Sequence, residues 1–193
     1  MELVFASNNK HKLDEVKSLM GSTCKILSLS NIGCHEDIPE DKLNLEGNAL
    51  QKAHYIYRKY GKNCFSDDTG LEIEALYGRP GVYSARYAGE QCSFEDNMNK
   101  VLDEMRYHPN RKARFRTVIA LILEGKEYLF EGRVDGIVLR EKQGEQGFGY
   151  DPIFQPSGHE ISFANMDPKE KNAISHRGDA LGKLLHFLNA QNL

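Results

Sequence analysis

The chain has 193 residues, 40% hydrophobic and 27% charged, with a formal net charge of −3. That length can bury a sizeable core, and the acidic balance excludes an overall pull toward nucleic acid or anionic membrane. No apolar run approaches the roughly 18–20 residues that cross a bilayer.

The opening residues lack the charged region and long apolar run of a signal peptide. Cys24, Cys34, Cys64 and Cys92 include no CxxC pair, which argues against zinc and suits reduced thiols in the cytoplasm. Residues 3–6 read as a short buried strand. After the polar turn Ser7-Asn8-Asn9, Leu13, Val16, Leu19 and Met20 recur at helical spacing. A polar, acidic loop with Glu36, Asp37, Glu40 and Asp41 leads to a helix over 46–60. Leu50, Ala53, Ile56, Tyr57 and Tyr60 form its apolar side and Gly61 stops it. Residues 63–66 are a short strand running into Asp67-Asp68-Thr69-Gly70, which follows at the strand's C-terminal end. Ser93 with Asp96 resembles a capping box for a helix to about residue 105. Residues 113–123 are β-branched and apolar, 124–127 make a hairpin turn, and 128–139 return. A glycine-rich loop over 143–151 follows. Asp167-Pro168 then caps a helix, and a last helix opens near Ser175 with Leu181, Leu184, Leu185 and Leu188 on one face. The order predicts an α/β fold, a single domain over 1–193 in two lobes. The second lobe covers roughly 110–150, with a ligand in the cleft between the lobes.

Two helix starts carry the wrong charge. A helix N-terminus holds about half a positive charge, yet Lys10, His11 and Lys12 stand at one and His176 and Arg177 at another, with Lys169 and Lys171 upstream. The pattern predicts a polyanion, phosphates first, held at both. The plainer alternative has Ser7 or Asn9 capping the first helix and the cations solvated. In extended backbone Asp67 and Asp68 point to opposite faces, so one of them, with Glu40, supplies two hard carboxylates suited to Mg²⁺ beside phosphate oxygens, although Asp-Asp-Thr-Gly is also ordinary turn composition. Phe148 between glycines offers a ring to stack a base and Asp151 an acceptor for base or sugar, or the loop is a hydrophobic latch. Residues 111–116 alternate Arg114 and Arg116 around Phe115, as on the solvent face of an edge strand rather than a nucleic-acid stripe.

These stretches, in order, resemble the inosine triphosphate pyrophosphatase family. They are Ala6-Ser7-Asn8-Asn9 with Lys12 and Glu15, residues 46–52, Ser66-Asp67-Asp68-Thr69-Gly70-Leu71, Pro80-Gly81-Val82-Tyr83-Ser84-Ala85-Arg86, Phe148-Gly149-Tyr150-Asp151-Pro152 and Ser175-His176-Arg177. The resemblance implies a mixed, strongly twisted sheet flanked by helices. It also implies Mg²⁺-dependent hydrolysis of ITP, dITP or XTP to monophosphate and pyrophosphate by a cytoplasmic homodimer. Ser7, Asn9 and Lys12 would hold the triphosphate, and Asn8 and Thr69 would also bind substrate. Asp68 would be the catalytic carboxylate and a metal ligand with Glu40. Phe148, Gly149, Tyr150, Asp151, Lys171, His176 and Arg177 would form the base and sugar pocket. Gly47 stands where the family has a second glutamate. The competing readings are a pyrophosphatase for modified pyrimidine or 7-methylguanine nucleotides and a nucleotide sensor without catalysis.

Overall fold

The structure, a computed structural model, describes residues 1–20 and 23–191. The apolar opening run forms β1 (Glu2–Phe5), and the polar turn leads into α1 (Lys10–Met20), which buries Val16 and Met20. A short β2 (Lys25–Leu27) pairs in parallel with β1, a strand too brief to show as a sequence period. Then α2 (Leu45–Tyr60) begins at Asn44, whose side chain accepts from Gly47 N–H, and ends at Gly61 in the left-handed conformation.

The strand expected over 63–66 continues as β3 (Cys64–Ile73). Asp67-Asp68-Thr69-Gly70 therefore lies within a strand, not at its end or in a turn, because β3 sits inside the sheet and the two acids find partners there. Next, α3 (Phe94–Glu104) opens with the expected capping box, Ser93 and Asp96 bonding reciprocally. The long hairpin is β4 (Lys112–Leu123) and β5 (Lys126–Val138). Both turn residues have positive φ, 51° at Glu124 and 80° at Gly125, as a two-residue hairpin whose twist matches its strands requires. A three-residue β6 (Phe154–Pro156) pairs antiparallel with β5. Finally, α4 (Pro168–Ile174) is capped by Asp167 and α5 (His176–Ala190) closes the chain.

Among the described residues the strands form one mixed sheet in the order β2-β1-β3-β4-β5-β6, flanked by helices. Thus β4 is internal, not an edge strand. Arg114 and Arg116 do share a face, but both bind Glu72 of β3, with Arg114 Nε at 2.6 Å and Arg116 Nη1 at 3.1 Å.

The chain divides into two units, each with its own core. The first comprises residues 1–68, 117–132 and 177–193, where Phe5, Met20, Phe65, Leu121 and Leu184 pack together. The second comprises 69–116 and 133–176, built on Leu71, Met98, Phe115, Phe154 and Phe163. Within it, Gly70 lets backbone meet backbone, since a Cβ there would lie 2.6 Å from the Gly81 carbonyl oxygen.

Cys24, Cys34 and Cys64 are buried, Cys92 is partly exposed, and burial pushes the Cys64 thiol up to about 12. A thiol reagent at neutral pH should label Cys92 first in the folded protein and the other three only after denaturation. Rapid native-state labelling of Cys64, read by mass spectrometry, would contradict this packing.

Candidate active site

In the first unit, the β1–α1 turn caps its own helix. Asn9 N–H donates to Ser7 Oγ at 3.2 Å, and Lys12 N–H donates to Asn9 Oδ1 at 3.1 Å. Asn8, Lys10 and His11 are exposed. Lys12 is not left to solvent; it turns inward and places Nζ 3.0 Å from Asp67 Oδ1. Arg177, on the first turn of α5, donates from Nε to Asp67 Oδ2 at 3.3 Å and from Nη1 to Glu15 of α1. Burial alone would raise the Asp67 carboxyl, but Lys12 and Arg177 outweigh it and hold that carboxyl well below the usual range. Of the cations at these two helix starts, Lys12 and Arg177 are thus matched by the buried Asp67 carboxylate.

Strand alternation gives Asp68 a different set of neighbours from Asp67. Its Oδ2 accepts from Asn48 Nδ2 at 3.0 Å. Lys52, one helical turn beyond Asn48, is buried and pairs with Glu40 from the acidic loop. Burial pushes the Asp68 carboxyl above its ordinary value, Lys52 and Lys12 oppose this, and the nearby Glu40 charge adds to it. For Lys52, burial disfavours the ammonium, yet Asp68 and Glu40 more than offset it and keep the lysine charged. The cluster joins Lys12, Lys52 and Arg177 to Glu15, Glu40, Asp67 and Asp68. Side-chain exposure separates its front from its back: Glu40 is 34% exposed and Lys12 14%, against 5% for Lys52, 3% for Arg177 and 2% for Asp67. A ligand arriving from solvent would meet Glu40, Glu15 and Lys12, with the rest as buried support.

Asn48, Lys52 and Glu15 stand in stretches that carry the resemblance but had no expected role, and Asp67 was expected only as the alternative to Asp68. A signal for the first two exists in the sequence. Asn48 and Lys52 are four apart, on the helix face that also carries Leu45, Ala49, Ala53 and Ile56, and that face is the buried one. Polar residues at such spacing on a core face need partners.

The second unit holds Thr69 and the glycine-rich loop. Asp151 Oδ2 accepts from Phe148 N–H at 2.8 Å and from Lys171 Nζ at 2.7 Å, both within that unit. The same ammonium lies 5.1 Å from the centroid of the Phe148 ring, a cation–π distance. Tyr150 points its hydroxyl elsewhere, donating to the Ser84 carbonyl at 2.8 Å. His176 is buried with its ring stacked 4.6 Å from Phe115. Of the residues expected at the base, Arg177 alone belongs to the first unit.

The fold and these clusters define an α/β enzyme with buried carboxylates paired to lysines and an arginine. A family model, the Ham1 family, matches residues 3–187, and the chain belongs to that family. It is 56% identical to a dITP/XTP pyrophosphatase of Flavobacterium psychrophilum over 97% of this chain and 98% of that one. Its identity to a dITP/XTP pyrophosphatase of Porphyromonas gingivalis is 50% over 97% of each. The Ham1 protein of Staphylococcus aureus superposes with a TM-score of 0.90 at 36% identity, covering 99% of this chain and all (100%) of that one. A nucleoside-triphosphatase / dITP/XTP pyrophosphatase of Mycobacterium abscessus does so with a TM-score of 0.78 at 39% identity, covering 96% and 99%.

Gly147 has φ +77°, and a Cβ there would overlap Asp151 Oδ2. Gly147→Ala should therefore displace the Asp151 carboxylate from Lys171 and cost about 1–3 kcal/mol, the sum of a left-handed backbone and a weakened buried bond. Thermal melts check this; a midpoint equal to wild type would refute it.

Proposed function

We propose that this chain hydrolyses ITP, dITP and XTP to the nucleoside monophosphate and pyrophosphate, keeping deaminated purines out of DNA and RNA. Membership in the Ham1 family and the names of the close relatives support the activity. The observation that carries it is the cluster around Asp68, a carboxylate flanked by Lys52 and Lys12 with Glu40 at its solvent side. A nucleotide sensor would need the cations but not a carboxylate poised in this way.

In this reading Ser7, Asn8, Asn9, Thr69 and Lys12 bind phosphate oxygens, Lys12 being the cation with an exposed edge. Asp68 orients and deprotonates the water that attacks the α-phosphorus. Lys52 and Arg177, behind the front, keep the carboxylates ionised. Phe148, Gly149, Asp151 and Lys171 meet the purine and its sugar, with Tyr150 bracing their loop. His176 and backbone amides would donate to the purine 6-oxo group, which adenine lacks.

Magnesium fits the donor set. Asp68 and Glu40 are hard oxygen ligands, the Glu40 charge acts on Asp68, and a divalent cation held by these residues would offset it. Among the described residues no group of three or more His, Cys, Asp or Glu is placed to hold a metal, whereas Mg²⁺ needs only one or two carboxylates beside substrate phosphates and water. When bound, the ion would supply countercharge for the phosphates. No helix among the described residues is long and apolar enough to cross a membrane, and the proposal includes a cytoplasmic homodimer, testable by sedimentation.

Pyrophosphate release from ITP, XTP, GTP and ATP, wild type beside Asp68→Asn, tests the proposal. Release should favour ITP and XTP over ATP by up to about 10⁴, since a stranded donor discriminates strongly. Asp68→Asn should lower kcat by about 10²–10⁴. Equal rates on all four nucleotides would overturn the substrate class, and an unimpaired Asp68→Asn the catalytic assignment.

A further inference from the structure

Asn48 is 1% exposed, yet it lies on a helix whose other buried positions are mostly apolar. Both ends of its amide are used. Nδ2 donates to Asp68 Oδ2 at 3.0 Å, and Oδ1 accepts from the backbone N–H of Lys42 at 2.8 Å. The partners fix the amide's orientation: a flipped amide would set its oxygen against a carboxylate and its NH₂ against an N–H. One buried side chain thus ties the strand bearing Asp68 to the loop bearing Glu40.

That loop, residues 36–42, is fastened to α2 along its length. Glu36 accepts from Lys59, from Tyr55 at 3.1 Å and from Tyr60 at 3.0 Å. Asp41 N–H donates to Gln51 Oε1 at 3.2 Å. Glu40 sits between these anchors and pairs with Lys52 of the same helix. The Lys42–Asn48 bond is made by a side chain that also bonds Asp68.

We infer that Asn48 is a positioning residue for the reaction, holding Asp68 and the Glu40 loop in one fixed relation through the two ends of a single amide. The inference rests on the catalytic reading of Asp68 given above. Asn48 acts through its two partners, the Asp68 carboxylate and the Lys42 N–H. Its donor end restrains the Asp68 carboxylate, and its acceptor end restrains where the loop leaves Glu40.

Two variants separate the ends. Asn48→Asp keeps the size and the acceptor for Lys42 N–H but removes the donor to Asp68. Asn48→Ala removes both. Each should lower kcat for pyrophosphate release from ITP about 10- to 100-fold, while KM changes less than about threefold. In an Asp68→Asn background the Asn48 variants should cause little further loss, because the residue they position has already been neutralised. The loop is read without activity, by tryptic cleavage after Lys42. Asn48→Ala should be cut faster than wild type and Asn48→Asp at the wild-type rate.

A wild-type kcat in both Asn48 variants, or a loss that simply adds to that of Asp68→Asn, would overturn the positioning role. Unchanged cleavage in Asn48→Ala would overturn the tie to the loop. If Asn48→Ala fails to fold, Asn48→Asp still decides the donor end, and Asn48→Ser, which lacks the reach to both partners, replaces it in the protease experiment. An unimpaired Asp68→Asn would instead overturn the catalytic reading and the kinetic part of this inference with it, leaving cleavage at Lys42 to decide the loop tie.

Discussion

Two adjacent buried carboxylates in an internal strand are the constraint on which the site depends. Asp67 is 1% and Asp68 7% exposed, in a strand whose neighbours on both sides are hydrogen-bonded. An uncompensated buried charge costs several kcal/mol. The surrounding residues follow from that cost. The sheet's alternation splits the demand, so Asp67 receives Lys12 and Arg177 while Asp68 receives Asn48 and the field of Lys52. Their placement then brings Glu15 and Glu40 as counter-partners for Arg177 and Lys52. The result is ordered charge, held in place before any ligand arrives, which is the condition for electrostatic catalysis.

The two acids are not equivalent, and the difference suits a division of labour. Asp67 is locked between two cations and held far below the usual carboxylate range, a fixed anion whose work is to hold Lys12 and Arg177. Asp68 is pushed the other way by burial, a carboxylate more ready to accept a proton. Environments that drive neighbouring carboxyls apart commonly mark one as structural and one as reactive.

Much of this was legible in the sequence, and the parts that were not have physical reasons. Helix limits read well because caps are local: Ser93 with Asp96, Asp167 with Pro168, and Gly61 each act within a few residues of themselves. The cations at the starts of α1 and α5 stood out because they violate the dipole preference, although their partners lie 55 and 110 residues away in Asp67. No local rule reports such pairings. The Asp-Asp-Thr-Gly stretch read as the end of a strand, with a turn as the alternative because its composition favours one. Tertiary pairing overrode that preference and kept the strand going. Asn48 and Lys52 were hidden for a related reason: a helical wheel sorts polar residues outward, and these two are inside because the acids of β3 face them.

Gly47 shows how far one missing atom reaches. The family resemblance marks the position as a departure, since a glutamate is expected there, and on a helix glycine costs up to about 1 kcal/mol relative to alanine. In this chain a Cβ at position 47 would stand 2.7 Å from Lys42 Cβ and 2.8 Å from Asn44 Oδ1. The glycine therefore admits the acidic loop against the first turn of α2 while Gly47 N–H is still capped by Asn44. That approach is what lets Lys42 N–H reach Asn48, and through it fixes the loop that carries Glu40. A side chain there would have to displace either the cap or the loop. The helix accepts the poorer residue because the position belongs to the packing of the site as much as to the helix.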